Sequence, residues 1–174
     1  MNYLQKVARA KQLIREAIEK YPNIALGSSF GKDSMVVLHL ALSVKPDIPV
    51  FSILANTEFS ETYEFVRKMV AQYRLNYSSY IFDQAAGEKC CGSPKVEATK
   101  RALASYDAWI SGVRRTEGIT RANFHEVEEK NGLVKVNPIL DFTELDIWRY
   151  LALNEVPVNP VYKDGYRSLG CKLC

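Results

Sequence analysis

Cysteine carries the clearest chemical signal in this chain. It occurs only as the adjacent pair Cys90-Cys91 and as the two ends of Cys171-Lys172-Leu173-Cys174. Four thiolates satisfy a [4Fe-4S] cluster or a tetrahedral zinc ion. Structural zinc usually takes two C-x2-C pairs, and here one pair is adjacent, so a cluster is the leading expectation. Zinc and four unmetallated core thiols stay open as alternatives. A second chemical feature is the stretch Ser28-Ser29-Phe30-Gly31-Lys32-Asp33-Ser34. Gly31 lets the backbone turn tightly and come close to an anion, and the first amides of a following helix would face that anion with the positive end of the helix dipole. Ser29 and Ser34 add hydroxyl donors and Lys32 adds charge. This is not a Walker loop, because Gly27 and Gly31 are separated by three residues and Asp33 follows the lysine. The plain alternative is a glycine turn with a solvated lysine. Of the two histidines, His39 sits in an apolar helical run and reads as a satisfied core residue; His125 falls in a polar loop.

These residues need elements to hold them. Leu4, Val7, Ala8, Leu13, Ile14, Ala17 and Ile18 recur at helical spacing, so a helix is expected near 3–20, stopped by Pro22 and Asn23. Ile24 to Leu26 reads as a short buried strand leading into the glycine loop, and the run from Met35 to Leu42 as buried helix. Val50 to Leu54 is a second strand after a turn at Pro46 to Pro49. Glu61 to Leu75 is a third helix and Tyr77 to Phe82 a third strand. This alternation predicts an α/β fold, doubly wound, with a mainly parallel sheet and helices on both faces. Gly87 to Ser93 interrupts the pattern and carries the first cysteines. Val96 to Leu103 then reads as helix and Ala108 to Ser111 as strand. Arg114 to Lys130 is polar and reads as a loop with a mobile tip, and Val134 to Leu140 as a last strand. Thr143 with Asp146 resembles a capping box opening a helix through Leu153. Pro157, Pro160 and Gly165 mark an irregular tail. Trp109 and Trp148 read as core.

The 174 residues suit one domain, 1–174, large enough for a core without staples. With a net charge of +3, wholesale nucleic-acid binding is not implied, although clustered arginines can still hold a small anion. No stretch reaches the length of a membrane span, and the first residues lack the apolar core of a signal peptide. A cytoplasmic location is therefore expected, where free cysteines point to metal or redox chemistry rather than disulfides.

The loop Ser29-Phe30-Gly31-Lys32-Asp33-Ser34 resembles the Ser-x-Gly-x-Asp-Ser loop of the adenine nucleotide alpha hydrolase (PP-loop) superfamily. Cys90-Cys91-Gly92-Ser93-Pro94-Lys95-Val96-Glu97 resembles the CC-x-x-R-K-V-E motif of adenylyl-sulfate and phosphoadenylyl-sulfate reductases. Trp109-Ile110-Ser111-Gly112-Val113-Arg114-Arg115, followed by Thr120-Arg121, is similar to that family's W-x-T-G-x-R-R-x-x-x-x-T-R segment. Asn137 to Thr143, Asp146-Ile147-Trp148, Pro157 to Pro160 and Gly165 to Cys171 follow its C-terminal half in order. The resemblance runs from about Ser28 to Cys174.

That resemblance implies a [4Fe-4S] cluster on Cys90, Cys91, Cys171 and Cys174. It also implies substrate contacts from Ser28 through Ser34, from Gly112, and from Arg114, Arg115 and Arg121, with Lys95 in an electrostatic catalytic role. Guanidinium forks suit tetrahedral oxyanions, and a lysine beside a cluster tunes the local field. The activity implied is thiol-dependent reduction of adenylyl sulfate, or its 3′-phosphorylated form, to sulfite in sulfate assimilation. A thioredoxin-like protein is the expected reductant, and a homo-oligomer is compatible with this reading. Members of the family attack sulfur with a cysteine in a tail beyond the C-x-x-C, and no fifth cysteine stands in residues 1–174. Pro94 replaces the family arginine. Ala55-Asn56-Thr57-Glu58-Phe59-Ser60-Glu61-Thr62 lacks the glycine and proline of the family's D-T-G-x-x-F-P-E-T stretch. The loop keeps Lys32-Asp33-Ser34, as ATP-cleaving members do. Two alternatives follow: an ATP pyrophosphatase or sulfurtransferase that adenylates an acceptor, and a non-catalytic nucleotide-binding subunit.

Overall fold

The computed structural model describes residues 1–84 and 92–169, and all four cysteines lie outside that range. Helix α1 (Tyr3–Lys20) opens on Asn2, whose side-chain oxygen accepts from the Gln5 amide while the Gln5 side chain accepts from the Asn2 amide. Strand β1 (Ile24–Gly27) leads through the glycine loop into α2 (Lys32–Leu42). Then come β2 (Pro49–Ala55), α3 (Ser60–Tyr73) and β3 (Asn76–Phe82). Helix α4 (Ser93–Leu103) precedes β4 (Ala108–Ile110). Strands β5 (Val127–Lys130) and β6 (Leu133–Val136) form a hairpin before α5 (Glu144–Leu153).

The six strands lie in the order β3-β2-β1-β4-β6-β5, all parallel except β5, which runs antiparallel to β6. Side chains alternate across the sheet and show what covers each face. Ile24, Leu26, Val50, Ala108 and Ile110 join the main core with residues of α1, α2, α3 and α5. Their neighbours Ala25, Phe51 and Trp109 turn the other way, onto Ala102 and Leu103 of α4. The sheet is thus doubly wound, with helices on both faces as the sequence implied. The path runs outward from β1 through β2 to β3, then returns through α4 to β4 on the far side of β1. Chain direction across the sheet reverses between β1 and β4, and the crevice beyond such a switch is where open α/β sheets bind ligands.

Two sequence expectations are corrected and a third shortened: the last strand, expected over Val134 to Leu140, ends at Val136, and Leu140 closes a turn on Asn137. The stretch from Arg114 to Lys130 is not all loop: residues 115–117 and 119–121 form 3₁₀ turns and 127–130 is β5. That strand is a mostly exposed, charged edge, so it carries no buried apolar alternation. Its signal was Asn131-Gly132, both with positive φ (54° and 77°), a pair suited to a two-residue hairpin turn. Trp148 is not core: it is 39% exposed on α5, where its indole Nε1–H donates to Glu144 at 3.0 Å. His39 does behave as a satisfied core-edge residue, with Nδ1 2.9 Å from the Tyr150 hydroxyl. Burial, with a lesser contribution from Lys11, holds its pKa below the ordinary histidine value. Among the described residues no helix is long and apolar enough to cross a membrane.

Candidate active site

A cavity of about 480 Å³ opens at the C-terminal ends of β1 and β4, at the switch point. Its floor is the glycine loop, from Ser28 and Ser29 through Gly31 to Asp33 and Ser34; Ser111, Gly112 and Val113 form one wall. Lys95 and Thr99 reach it from α4, Glu117 and Arg121 from the 3₁₀ turns, and Tyr162, Ser168 and Leu169 from the tail.

The loop is held by its own side chains. Ser28 is buried, and its Oγ accepts from the Phe30 amide at 3.1 Å. Its carbonyl accepts from Ser52 Oγ at 2.6 Å. Ser29 and Ser34 hydroxyls lie 3.0 Å apart, and Ser29 Oγ accepts from the Gly31 amide at 3.4 Å. Phe30 has φ +55°, a left-handed conformation that costs a non-glycine residue of order 1–3 kcal/mol. The Phe30 ring is fully buried and meets Tyr77 edge-on at 5.8 Å, which fixes the turn. Phe30 therefore packs the loop from beneath and, contrary to the sequence expectation, does not line the cavity. On the opposite wall, a Cβ at Gly112 would fall 3.1 Å from Ser34 N and 3.2 Å from Ser34 Cα. Glycine there lets β4 and the start of α2 approach closely.

The basic residues expected at the site divide into two groups. Lys95 and Arg121 line the cavity. Lys95 has no ion-pair partner among the described residues, whereas Arg121 pairs with the Glu117 carboxylate. Lys32 and Arg114, each 4% exposed, sit together behind the loop, in a neighbouring cavity of about 590 Å³ shared with Glu144 and Arg167. Lys32 Nζ donates to the Arg167 carbonyl and lies 3.5 Å from Glu144 Oε1. Arg114 donates from Nε to Asp33 and from Nη2 to Glu144 at 2.7 Å. Burial pushes the Arg114 pKa down, but the Asp33 and Glu144 carboxylates more than restore it, leaving a fixed cation. Burial likewise pushes the Glu144 carboxyl up, and Lys32 and Arg114 outweigh it, so the net direction is down. Arg115 lines neither cavity. It donates to Asp141 at 3.0 Å and to the Ala122 and Phe124 carbonyls, bracing the turn that carries Arg121.

Tyr162, Glu117 and Glu144 carry no motif signal of their own, while Ser111 and Asn137 stand in the quoted motifs without a role assigned to them. Tyr162 is the main one: its hydroxyl accepts from the Lys32 amide at 2.9 Å, and burial pushes its pKa up to about 12. Glu117 and Glu144 enter only because the fold brings Arg121, Lys32 and Arg114 against them. Ser111 is buried and donates to Asn137 Oδ1 at 2.6 Å; Asn137 in turn donates to the His125 carbonyl.

The expected cluster ligands Cys90, Cys91, Cys171 and Cys174 lie outside the described residues. What is described is their flanks. Lys95, four positions after Cys91, and Leu169, two before Cys171, line the same cavity.

A model of the phosphoadenosine phosphosulfate reductase domain matches residues 23–174. The chain is 33% identical over 190 residues to an adenosine 5′-phosphosulfate reductase of Burkholderia cepacia, covering 97% of this chain and 76% of the relative. It is 34% identical to a phosphoadenosine 5′-phosphosulfate reductase of Xanthomonas axonopodis pv. citri, covering 93% and 76%. The fold is that of the phosphoadenylyl-sulfate reductase of Candida auris, solved as a phosphate complex, with TM-score 0.81 at 23% identity over 95% of this chain and 89% of that one.

Proposed function

Since the chain belongs to the phosphoadenosine phosphosulfate reductase family, we propose that it takes a sulfonucleotide into the cavity between β1 and β4 and delivers its sulfur as sulfite. The substrate is adenylyl sulfate or its 3′-phosphorylated form. A cysteine thiolate other than the four proposed ligands attacks the sulfur. A sulfur–sulfur bond forms, the sulfur–oxygen bond breaks, and the nucleotide leaves with the electron pair. A thiol of a thioredoxin-like protein then attacks the cysteine sulfur and sulfite departs with the next pair. The sum is two thiols oxidised to one disulfide and one sulfur reduced by two electrons. A reducing cytoplasm is the compartment in which such thiols persist.

The carrying observation is the placement of Lys95 and Arg121 in one cavity with the start of α2 at the strand switch point. Lys95, without an ion-pair partner among the described residues, is positioned to stabilise negative charge on the phosphosulfate; Arg121 shares that work while braced by Glu117. Arg114 acts one step back, holding Asp33 and so the first turn of α2. Arg115 acts through the 3₁₀ turns.

Cys90, Cys91, Cys171 and Cys174 are proposed to hold a [4Fe-4S] cluster, which would supply a local electrostatic field rather than consumed electrons. The donor set suits it, and the shared cavity of Lys95 and Leu169 supports bringing the two cysteine groups together.

The test is release of sulfite from labelled adenylyl sulfate, with and without the 3′-phosphate, by anaerobically purified protein from the complete reading frame. Thiol-dependent sulfite is the expected product. Pyrophosphate from ATP and Mg²⁺, with no sulfite from either sulfonucleotide, would transfer the assignment to an ATP-cleaving activity.

A further inference from the structure

We infer that Tyr162 limits the length of the polyanion that the cavity accepts, admitting a two-centre chain such as phosphosulfate and excluding a triphosphate. The first turn of a helix presents amides that lack intrahelical partners, and in a loop of this kind those amides would serve successive oxyanions. Here the first of them is already used: the Lys32 amide donates to the Tyr162 hydroxyl at 2.9 Å. That hydroxyl lies against the bare face of Gly31, where a Cβ would be only 3.0 Å from it. Gly31 is thus needed to seat the phenol and not, as its sequence suggested, to turn the chain: its φ of −74° is open to any residue, and the left-handed turn falls at Phe30.

The phenol is firmly held. Lys32 Nζ stands over its ring at 5.4 Å, and Trp148 meets it edge-on at 5.9 Å. Its 3₁₀ turn (Pro160–Asp164) is capped by Asn159, which accepts from the Val161 amide at 3.1 Å and donates to Thr62 of α3 at 3.1 Å. The ammonium that would meet a terminal phosphate is withdrawn as well, since Lys32 Nζ donates to the Arg167 carbonyl behind the loop. Asp33 and Ser34 are the residues of that first turn that line the cavity floor, which suits one oxyanion rather than a longer run.

This inference rests on the reductase reading, and the two fail separately. ADP matches adenylyl sulfate in having two tetrahedral centres, and ATP adds one more. Dissociation constants for both are measured by calorimetry in EDTA on the full chain and on Tyr162→Phe and Tyr162→Ala. Phe keeps the ring packing while removing the hydroxyl, so it carries the test if Ala unfolds. The wild-type chain is expected to bind ATP about tenfold or more weakly than ADP. The variants are expected to bring the two within about threefold of each other. A merely structural tyrosine would weaken both nucleotides together and leave their ratio unchanged. Equal affinities in the wild type, or an unchanged ratio in both variants, overturns the inference whatever the sulfite assay shows. Loss of all adenine-nucleotide binding in the wild type would remove the premise as well, and whether ADP binds tells the two failures apart.

Discussion

At the scale of single residues, two cations of one sequence neighbourhood serve different ends because of which way the fold turns them. Lys32 stands in the phosphate loop by sequence, yet its ammonium is buried behind that loop among Asp33, Glu144 and a carbonyl. Arg114 and Arg115 are adjacent, and one locks Asp33 while the other braces a turn. A motif specifies residue type and spacing; the direction of a long side chain depends on carboxylates brought from elsewhere, here from α5 and residue 141. Lys95 and Arg121 do line the cavity, so the basic residues were legible as neighbours of the glycine loop while the division between cavity-lining and buried ones was not. Lys95, with no ion-pair partner among the described residues, is the residue on which the proposal can be pressed. Lys95→Ala is expected to lower kcat/KM for the sulfonucleotide by about tenfold or more, the loss of one charge-assisted contact. Its melting temperature should fall little, since Lys95 makes no salt bridge among the described residues and acts on Glu58 only as a distant charge that eases the upward push of burial on that carboxyl. Lys95→Arg should recover part of the rate. Unchanged kinetics in Lys95→Ala would remove this lysine from the reaction.

Elements were read well wherever apolar periodicity drove them. Helices α1, α2 and α3 and strands β1 and β2 lie where the sequence placed them, because each buries a face in the core; edge strand β3, mostly exposed, was legible from its β-prone Tyr77, Tyr80, Ile81 and Phe82. Strand β5 escaped because it buries almost nothing, and its pairing is fixed by β6 and the turn at Asn131-Gly132. The capping box of α5 was legible from spacing and is present: Thr143 Oγ1 accepts from the Asp146 amide at 3.2 Å, and Asp146 accepts from the Thr143 amide at 2.8 Å. Asp146 also accepts from Lys6 of α1 at 2.7 Å, a tie between distant elements that no local pattern encodes. Burial raises the Asp146 carboxyl, but Lys6 and Thr143 outweigh it and the net pKa is lowered. A lowered folded pKa means stability that is present above the unfolded aspartate value, near pH 4, and lost as pH falls through the folded one. Melting temperature should therefore fall in that acid window, and Asp146→Asn should flatten the fall while lowering stability at neutral pH. An identical acid profile for the variant would show that the tie contributes nothing. Gly112 tests the contact between β4 and α2. Gly112→Ala places a Cβ against the Ser34 backbone, and overpacking of this kind costs typically 1–3 kcal/mol. Urea unfolding should show that loss, together with weakened nucleotide binding; wild-type stability and affinity would mean the two elements separate freely.

For the molecule as a whole, alternation of strands and helices announced a doubly wound sheet, and the sheet is one. What alternation left unstated was the strand order and which helix crosses to the second face. Both follow from α4 packing under β2 and β3 and returning the chain beside β1. That single return creates the switch point, brings Gly112 to Ser34, and sets Lys95 over the glycine loop. The tail reaches the same opening at Ser168 and Leu169 by another route, docked on α3 through Asn159 and Thr62 and on the glycine loop through Tyr162. The account stands on the sulfonucleotide occupying that opening. Hydrogen exchange of the full chain, followed by mass spectrometry with and without adenylyl sulfate, locates it directly. The result expected is slowed exchange at residues 28–34 and 111–114, with no change at residues 128–133, which line a second groove between α4 and the β5–β6 hairpin. Protection confined to that groove, or absent from both backbone stretches at saturating ligand, would contradict it.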